Sequence, residues 1–421
     1  MKARLLFLVA MCLFILTAKA QTDTVKNHAL LYQTDFNDVK GRMLHHVPKL
    51  DTAINKFRKI FIPSLTYSPS TGFELGAAIS ALKFLGKPDS TSISTGSLGV
   101  SASTKGLVFI IYKHNIYFPN NKWSLQGDWQ AGRVLALDYG IGTGRKTQDE
   151  DFSFNGYPIV ADSSIFTIKY NLIRFKETAY KKLFGNFYTG IGISINAYTN
   201  IDRERSGNPR SHNYRYSDRR GFSPSHYLAN AISFKLQYDT RDHPNRPYKG
   251  LYADAGVKTF QKAIGSSENA LQVVTELRKY WSLSNKNPEH VLAFWHWGSY
   301  LINGKIPYLE LPGTGKDGDG RSGRAYTIGR FKGLSFFYAE AEYRFPILAN
   351  KFISGVAFAN TETGSNQSVV NKTKLFKYWE PGAGVGIRIL YNKYSRSNIC
   401  IDYGIGNYGA KGIFVSLNEA F

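Results

Sequence analysis

The chain has 421 residues and a formal net charge of +22, or +19 once Lys2, Arg4 and Lys19 are left out. A basic balance is compatible with nucleic-acid binding, but no basic stripe with interleaved aromatic residues is present, so we expect no nucleic-acid partner. No stretch of about 18 consecutive apolar residues occurs, which excludes a helical membrane protein. The 27 tyrosines, 28 phenylalanines and 39 glycines favour aromatic girdles on a tightly curved sheet.

The first 20 residues predict a cleavable secretory signal peptide. Lys2 and Arg4 precede the apolar run Leu5–Leu16, and Ala18-Lys19-Ala20 follows it before Gln21. The run is too short to cross a bilayer as a helix, which needs about 20 residues. Cys12 lies inside the run and not at its end, which favours cleavage over a lipoprotein anchor.

Residues 21–58 are polar, and we interpret them as a short periplasmic segment with one helix near Asp35–His45. A segment of this length falls below the usual size of a domain. The adjacent His45 and His46 lack the spaced Cys, Asp or Glu partners of a metal site, so we expect no metal and no other cofactor. Cys400 is the one cysteine after the signal, and no internal disulfide is expected.

From residue 59 onwards, strand-like segments with period-two alternation follow one another. The clearest spans 333–346, where Phe337 and Tyr343 point one way and Glu340 and Glu342 point the other. A membrane barrel needs this pattern, because lipid lies outside and a polar lumen inside. We predict sixteen strands, an even number as in single-chain bacterial barrels, at 59–67, 73–85, 91–104, 106–118, 122–134, 163–177, 185–199, 226–239, 249–261, 270–283, 290–303, 333–346, 351–361, 379–391, 396–406 and 412–421.

Side-chain facings and connector lengths complete the fold prediction. In the segment 163–177 we assign Ile168 and Leu172 to the lipid face, and in 185–199 we assign Ile191 to it. The long connectors follow odd-numbered strands and share one side, the external one, at 135–162, 200–225, 304–332 and 362–378. The sequence therefore predicts an all-β fold, a 16-stranded antiparallel transmembrane β-barrel over residues 59–421, in the outer membrane of a Gram-negative-type bacterium.

Three segments carry a resemblance to a known family. They are Tyr238-Asp239-Thr240-Arg241-Asp242-His243-Pro244 with Pro247, Gly250 and Tyr252; Arg324-Ala325-Tyr326 in the connector after strand eleven; and Gly382–Arg388 with Asp402–Gly406 and Phe421. In this order they resemble the BamA/TamA superfamily of outer-membrane assembly and translocation barrels, the bacterial surface antigen proteins. We find neither room for the POTRA modules of that family nor a Gly-x-Ser-x-Gly lipase elbow, so we expect a barrel alone.

The resemblance implies that the sixth external loop folds into the lumen. Arg324 at the loop tip, followed by Tyr326, would pair there with acidic residues of the wall. Glu340, Glu342 and Asp402 are all candidate partners, and the sequence does not choose among them. A guanidinium that meets a carboxylate in a confined lumen makes a stronger contact than a surface ion pair. Without the resemblance, Arg324 would be interpreted as a solvated loop residue.

Two residues depart from the family pattern. Ala325 replaces the usual glycine of the loop tip, which restricts the backbone if a positive φ is needed there. Asn360 stands where relatives often carry aspartate, so one possible partner of Arg324 is uncharged.

Arg344 and Arg388 are expected to line the lumen and neutralise its carboxylates. We therefore expect no catalytic residue and no enzymatic activity.

Further sites are predicted in the turns and at the last strand. Asp239, Arg241 and Asp242 are expected to organise a periplasmic turn through local hydrogen bonds and ion pairs, with partner docking as the alternative. Phe421 is expected on the lipid face, as a girdle anchor that also resembles the signal read by the assembly machinery. The arginines of 199–225 are expected to be solvated, with lipopolysaccharide phosphates as the alternative ligand.

The resemblance implies a barrel that helps polypeptides insert into or cross the outer membrane. The edge between strands one and sixteen is the expected place, because Pro63 removes a ladder donor and Gly412 packs no side chain. A poorly paired edge can template a client strand. The alternatives are an accessory barrel of an outer-membrane complex and a small-solute pore. The expected partners are outer-membrane lipid and either polypeptide clients or such a complex.

Overall fold

The computed structural model describes residues 33–43, 57–68, 72–144, 166–202, 211–366, 373–393 and 395–421. The described residues form one antiparallel sheet in which each strand pairs with the next along the chain. The predicted signal peptide, residues 1–20, lies outside the described residues, as does most of 21–58.

The sheet has sixteen strands, as predicted. Their bounds are β1 Arg58–Ser68, β2 Gly72–Lys83, β3 Ser94–Ser103, β4 Val108–Tyr117, β5 Trp123–Asp138, β6 Phe166–Phe184, β7 Phe187–Thr199, β8 Ala231–Asp239 with the short piece Tyr227–Leu228, β9 Gly250–Phe260, β10 Ala270–Ser282, β11 Val291–Gly304, β12 Ser335–Pro346, β13 Ile353–Gly364, β14 Glu380–Asn392, β15 Ser397–Gly406 and β16 Lys411–Leu417. Both pieces of β8 pair with β7, so they form one interrupted strand.

Helices are short and lie outside the wall strands. Helix α1, Phe36–Met43, precedes β1 at the predicted position, and helix α2, His212–Arg220, lies in the connector after β7. In the turn after β14, Lys393 donates to Asp38 of α1 (2.8 Å). Within the described ranges, no helix is long and apolar enough to cross a membrane. Short 3-10 turns are found at Pro119–Asn121, Lys262–Ile264 and Tyr308–Glu310.

Strand β12 alternates as predicted. Tyr338, Glu340 and Glu342 are buried on one face, whereas Tyr343 is exposed on the other. The buried charged face is the lumen side, and the exposed aromatic face is the lipid side. Ile191 of β7 is exposed on the lipid side, also as predicted.

Strand β6 presents the opposite face to the one predicted. Ile168 and Leu172 are buried inside, where they share an apolar core with Tyr216 and Ile306 of the connectors, whereas Ile173 is exposed. The assignment of Ile168 and Leu172 to the lipid face is therefore wrong. Connector residues build an apolar core inside the barrel at this level, whereas the opposite face of β6 carries Thr167, Lys169 and Asn171. Alternation alone cannot distinguish lumen from lipid there.

Candidate functional site

The connector between β11 and β12, residues 305–334, runs through the interior of the sheet, and we name it the lumen loop. Lys113 of β4 donates to the carbonyl of Gly318 (2.9 Å), and Lys258 of β9 donates to Glu310 (2.8 Å). Strands from β4 to β15 contact this one segment with the same face, so the sheet curves round it as a barrel wall. The predicted inward-folded sixth loop is confirmed.

A single carboxylate shapes the turn that precedes the loop tip. Asp317 accepts hydrogen bonds from the backbone amides of 319–322, at 2.8 to 3.2 Å. Aspartate side chains commonly organise turns in this way. Gly323 follows with a φ of +81°, and the amide of Tyr326 donates to the carbonyl of Gly323 (2.7 Å). The left-handed position thus falls on Gly323, and the alanine at position 325 is accommodated without a positive φ.

Arg324 extends from this turn into a group of three carboxylates. Its Nη1 donates to Oδ2 of Asp402 (3.1 Å), its Nε donates to Oε2 of Glu340 (3.4 Å), and its Nη2 contacts both Glu340 and Glu342. The Arg324 side chain is 6% exposed, and its guanidinium carbon lies 3.9 Å from the centroid of the Phe358 ring. All three candidate partners are therefore used at once.

The wall holds these carboxylates with arginines of its own. Arg344 of β12 donates to Glu342 (2.6 Å), and Arg388 of β14 donates to Asp402 (2.5 Å). A buried charge without a partner costs about 3–5 kcal/mol. A cluster of buried carboxylates and arginines is therefore stable only when each charge in it is paired. The loop contributes the third arginine, Arg324. The loop and the wall are therefore electrostatically complementary. The wall carboxylates need the loop arginine for charge balance, and the loop arginine needs the carboxylates as buried partners.

Neutral donors complete the surroundings of Glu340. The hydroxyl of Tyr338 donates to Glu340, and Nδ2 of Asn360 donates to the same carboxylate (3.3 Å). The uncharged residue that departs from the family pattern thus supports a partner of Arg324. Among the described residues, no group of three or more His, Cys, Asp or Glu side chains is arranged to hold a metal ion.

Glycines on β14 and β15 let the loop tip lie directly on the wall backbone. A Cβ at Gly404 would stand closer than 3.0 Å to the carbonyl oxygen of Arg324, a separation that real Cβ atoms do not show. A Cβ at Gly406 would stand equally close to the ring of Tyr326, and Gly382 touches the tip in the same way. The glycine-rich third segment of the sequence is therefore the floor on which the loop tip rests.

Comparison with known proteins identifies the family of this barrel. A family model described as the Omp85 superfamily domain matches residues 83–413. The chain belongs to the Omp85 superfamily. The resemblance predicted from the three sequence segments is thereby confirmed. No match is found among the curated proteins.

Two solved CdiB structures agree on the fold. The chain is similar to CdiB from Escherichia coli, with 9% identity and a TM-score of 0.51, over 89% of this chain and 63% of that one. It is similar to CdiB from Acinetobacter baumannii, with 11% identity and a TM-score of 0.50, over 86% and 59%. A BamA from Haemophilus ducreyi lacking POTRA domains 1-3 shares 16% identity, over 86% and 69%, with a TM-score of 0.49. The chain thus spans less than two thirds of either CdiB chain.

The lumen loop of this Omp85 member has a second anchor, Glu310, that sequence reasoning does not identify. Glu310 accepts hydrogen bonds from Lys258 (2.8 Å) and from the hydroxyl of Tyr198 (2.7 Å). Burial alone would raise the pKa of Glu310, but Lys258, Lys176 and Arg174 outweigh burial and hold that pKa well below its ordinary value. The loop is therefore charged and fixed at this point of the wall as well.

A third anchor joins the lumen loop to the external end of β5. Lys332 and the hydroxyl of Tyr308 both donate to Asp138, at 2.8 and 2.5 Å. The sequence signal for these anchors is an acid or lysine set among apolar loop residues, as in the run Ile-Pro-Tyr-Leu-Glu that contains Glu310. So many apolar residues are unusual in a solvated loop, and they indicate that this part of the loop is buried.

The predicted periplasmic turn motif lies between β8 and β9. Arg241 donates to Asp239 through Nε (3.0 Å) and Nη2 (2.8 Å). Asp242 accepts from the backbone amide of Tyr248 (2.8 Å) and from Arg396 in the turn after β14 (2.7 Å). The first contacts close the turn, and the last joins it to another turn on the same side. A role in partner docking stays a prediction.

The predicted lipid-facing position of Phe421 is wrong. Strand β16 ends at Leu417, Asn418 adopts a φ of +67°, and the chain turns into the lumen. Phe421 is 4% exposed there and stacks on Trp295, with ring centroids 5.3 Å apart, while Arg344 donates to its main-chain oxygen (2.8 Å). Alternation assigns a residue to one face only as long as the strand continues. The left-handed conformation of Asn418 ends the strand, so the assignment does not extend to Phe421. A role of Phe421 as an assembly signal stays a prediction.

Proposed function

We propose that this Omp85 member helps polypeptides insert into or cross the outer membrane of a Gram-negative-type bacterium. The observation that carries the proposal is the locked lumen loop, whose Arg324 meets three wall carboxylates inside the barrel. A filled interior favours work at an edge of the wall over free passage of solutes through its centre. Membership of the superfamily supports the same conclusion. We assign the lumen carboxylates to charge neutralisation and not to catalysis.

The edge between β1 and β16 is the proposed place of contact with a client strand. Strand β1 pairs with β2 through Pro63, opposite Ala77, and β16 pairs with β15 through Gly412, opposite Gly404. Proline has no N–H to donate, and glycine has no side chain to pack. A weakly paired edge offers its backbone groups to an added strand.

A reversible disulfide between β1 and β16 tests this proposal. In a Cys400→Ser background, oxidised protein with one cysteine in each strand should stop supporting the appearance of newly made, heat-modifiable outer-membrane barrels in the native cell. Addition of reductant should restore it. The matched control joins Ala179 of β6 to Ile191 of β7, which lie opposite each other on the lipid face. That bond should leave activity unchanged, because β6 and β7 share a full ladder.

Two results would favour other functions, one from the disulfide variant and one from the unmodified protein. Full activity of the oxidised β1–β16 variant, together with hydrogen exchange as slow in those strands as in β7 and β8, would favour an accessory barrel held by an outer-membrane complex. High conductance of the unmodified protein in a planar bilayer would favour a small-solute pore. Contact between connector arginines and lipopolysaccharide phosphates stays a prediction.

A further inference from the structure

The residues after β16 are held inside the barrel by the wall, and we name Asn418–Phe421 the inner tail. Arg388 donates to the carboxylate of Glu419 (2.6 Å), and Nδ2 of Asn398 donates to it as well (2.7 Å). Arg246, from the periplasmic turn between β8 and β9, lies 3.4 Å from the same carboxylate. The inner tail is therefore tied to two wall strands and to the turn at the periplasmic end.

The lumen loop adds a contact of a different kind. Nη2 of Arg321 donates to the carbonyl of Leu417 (2.7 Å), and Nη1 donates to the carbonyls of Asn418 (3.1 Å) and Glu419. One guanidinium thus binds three successive carbonyls at the point where the chain leaves the wall. The rigid fork of donors on arginine suits such a set, which a lysine ammonium cannot match.

The turn made by Asp317 explains why Arg321 reaches the inner tail. The Asp317 carboxylate holds the backbone amides of Arg321 (2.9 Å) and Ser322 (2.8 Å), which fixes the direction of the side chain between them. Three residues further on, Arg324 points to β12 and β15. A single turn therefore sends one arginine to the wall and another to the end of the last strand.

We propose that Arg321 is a positioning residue through which the lumen loop holds the end of β16 inside the barrel. Withdrawal of the loop and release of the inner tail are then one event. The coupling is reciprocal, so a client that pulls on β16 also loosens the loop. Only the effect of a client on the loop rests on the proposed function; the contact between Arg321 and the inner tail does not. A client strand that pairs with β16 can extend its hydrogen bonds beyond Leu417 only after Arg321 has released the carbonyls of the inner tail.

The test measures how fast a cysteine in the inner tail reacts. Ala420→Cys, placed in a Cys400→Ser background, is labelled with a maleimide polyethylene glycol in detergent. Labelling should be slow in this parent, because Ala420 is buried. Arg321→Met should react about tenfold faster or more, the effect of losing one hydrogen bond to a charged group. Arg321→Lys should fall between the two, because one ammonium cannot serve three carbonyls.

Two controls keep the result specific. Lys305→Met removes a cation of the same loop that donates to the carbonyl of Arg220 (3.1 Å) and not to the tail, so it should label like the parent. Protease sensitivity of the lumen loop should rise only slightly in Arg321→Met, because the loop keeps its contacts through Arg324, Glu310 and Lys332, whereas a general collapse of the loop would raise it as far as Arg324→Ala does. Heat-modifiable migration establishes that each variant is folded.

Parental labelling rates in folded Arg321→Met and Arg321→Lys would overturn the inference. Faster labelling that is matched by Lys305→Met would overturn it too, because the effect would then belong to the loop as a whole. Neither readout depends on a client. A failure of the Arg321 inference is therefore distinguishable from a failure of the proposed function, which is measured by the β1–β16 disulfide.

Discussion

Replacement of Arg324 by alanine should open the lumen to ions and expose the lumen loop to protease, while the sheet persists. The change leaves Glu340, Glu342 and Asp402 buried with two arginines in place of three. Removing one partner of a buried ion pair costs about 3–5 kcal/mol, and here the whole loss falls on the attachment of the loop. We expect higher single-channel conductance in a planar bilayer and cleavage within residues 305–334.

Two variants serve as controls for Arg324→Ala. Arg324→Lys keeps the charge but not the planar fork, so we expect a partial effect. Lys262→Ala removes an external cation that is 56% exposed and pairs with Glu268 at 3.0 Å. An exposed pair is worth about 0–1 kcal/mol, and this variant should behave like the parent. Unchanged conductance and unchanged protease resistance in folded Arg324→Ala would mean that the arginine does not hold the loop.

Gly404→Ala should release the loop tip without any change of charge. The added methyl group would stand closer than 3.0 Å to the carbonyl oxygen of Arg324, and this neighbour is backbone that cannot rotate away. Either β15 or the loop must shift, at a cost of about 1–3 kcal/mol, as for other overpacked sites. Because the wall strand is held by ladders on both sides, the loop should give way. Protease cleavage and conductance should therefore rise as in Arg324→Ala.

The matched control is Gly412→Ala on β16. Gly412 lies directly opposite Gly404 in the ladder, but the nearest atom to its Cβ position belongs to the Phe414 ring at 3.5 Å, an ordinary contact. Both substitutions add the same methyl group to neighbouring strands, so propensity effects cancel. Gly412→Ala should match the parent. Similar behaviour of the two variants, in either direction, would contradict the packing of the loop tip on Gly404.

Strand β12 could be predicted from sequence because charges mark one face and aromatic residues mark the other. The face of β6 could not, because Ile168 and Leu172 are apolar residues that pack on connector residues inside the barrel. The course of the chain near Phe421 depends on one left-handed residue, Asn418, and no alternation signals it. The alternation pattern therefore predicts the wall strands well. It fails where apolar loop or tail residues, and not water, fill the lumen beside a strand.

The candidate site shows the same division. Arg324 is identified by its motif, but its contact with both Glu340 and Asp402 requires β12 and β15 to converge on one point across two intervening strands. That convergence comes from curvature of the sheet, which no sequence spacing specifies. Neither Glu310 nor Arg321 belongs to a family motif. The apolar neighbours of Glu310 indicate burial, but the partners of both residues are seen only when the loop lies inside the barrel.

Site-specific photo-crosslinking in the native cell shows whether client polypeptides meet the barrel at the edge between β1 and β16. A photoreactive amino acid replaces Ile413, which is 71% exposed on the lipid face of β16, and in a second strain Ile191, which is 62% exposed on β7. We expect crosslinks to outer-membrane polypeptides under assembly from position 413 and none from position 191. Equal crosslinking from the two positions, or none from 413 while such polypeptides are being assembled, would contradict it.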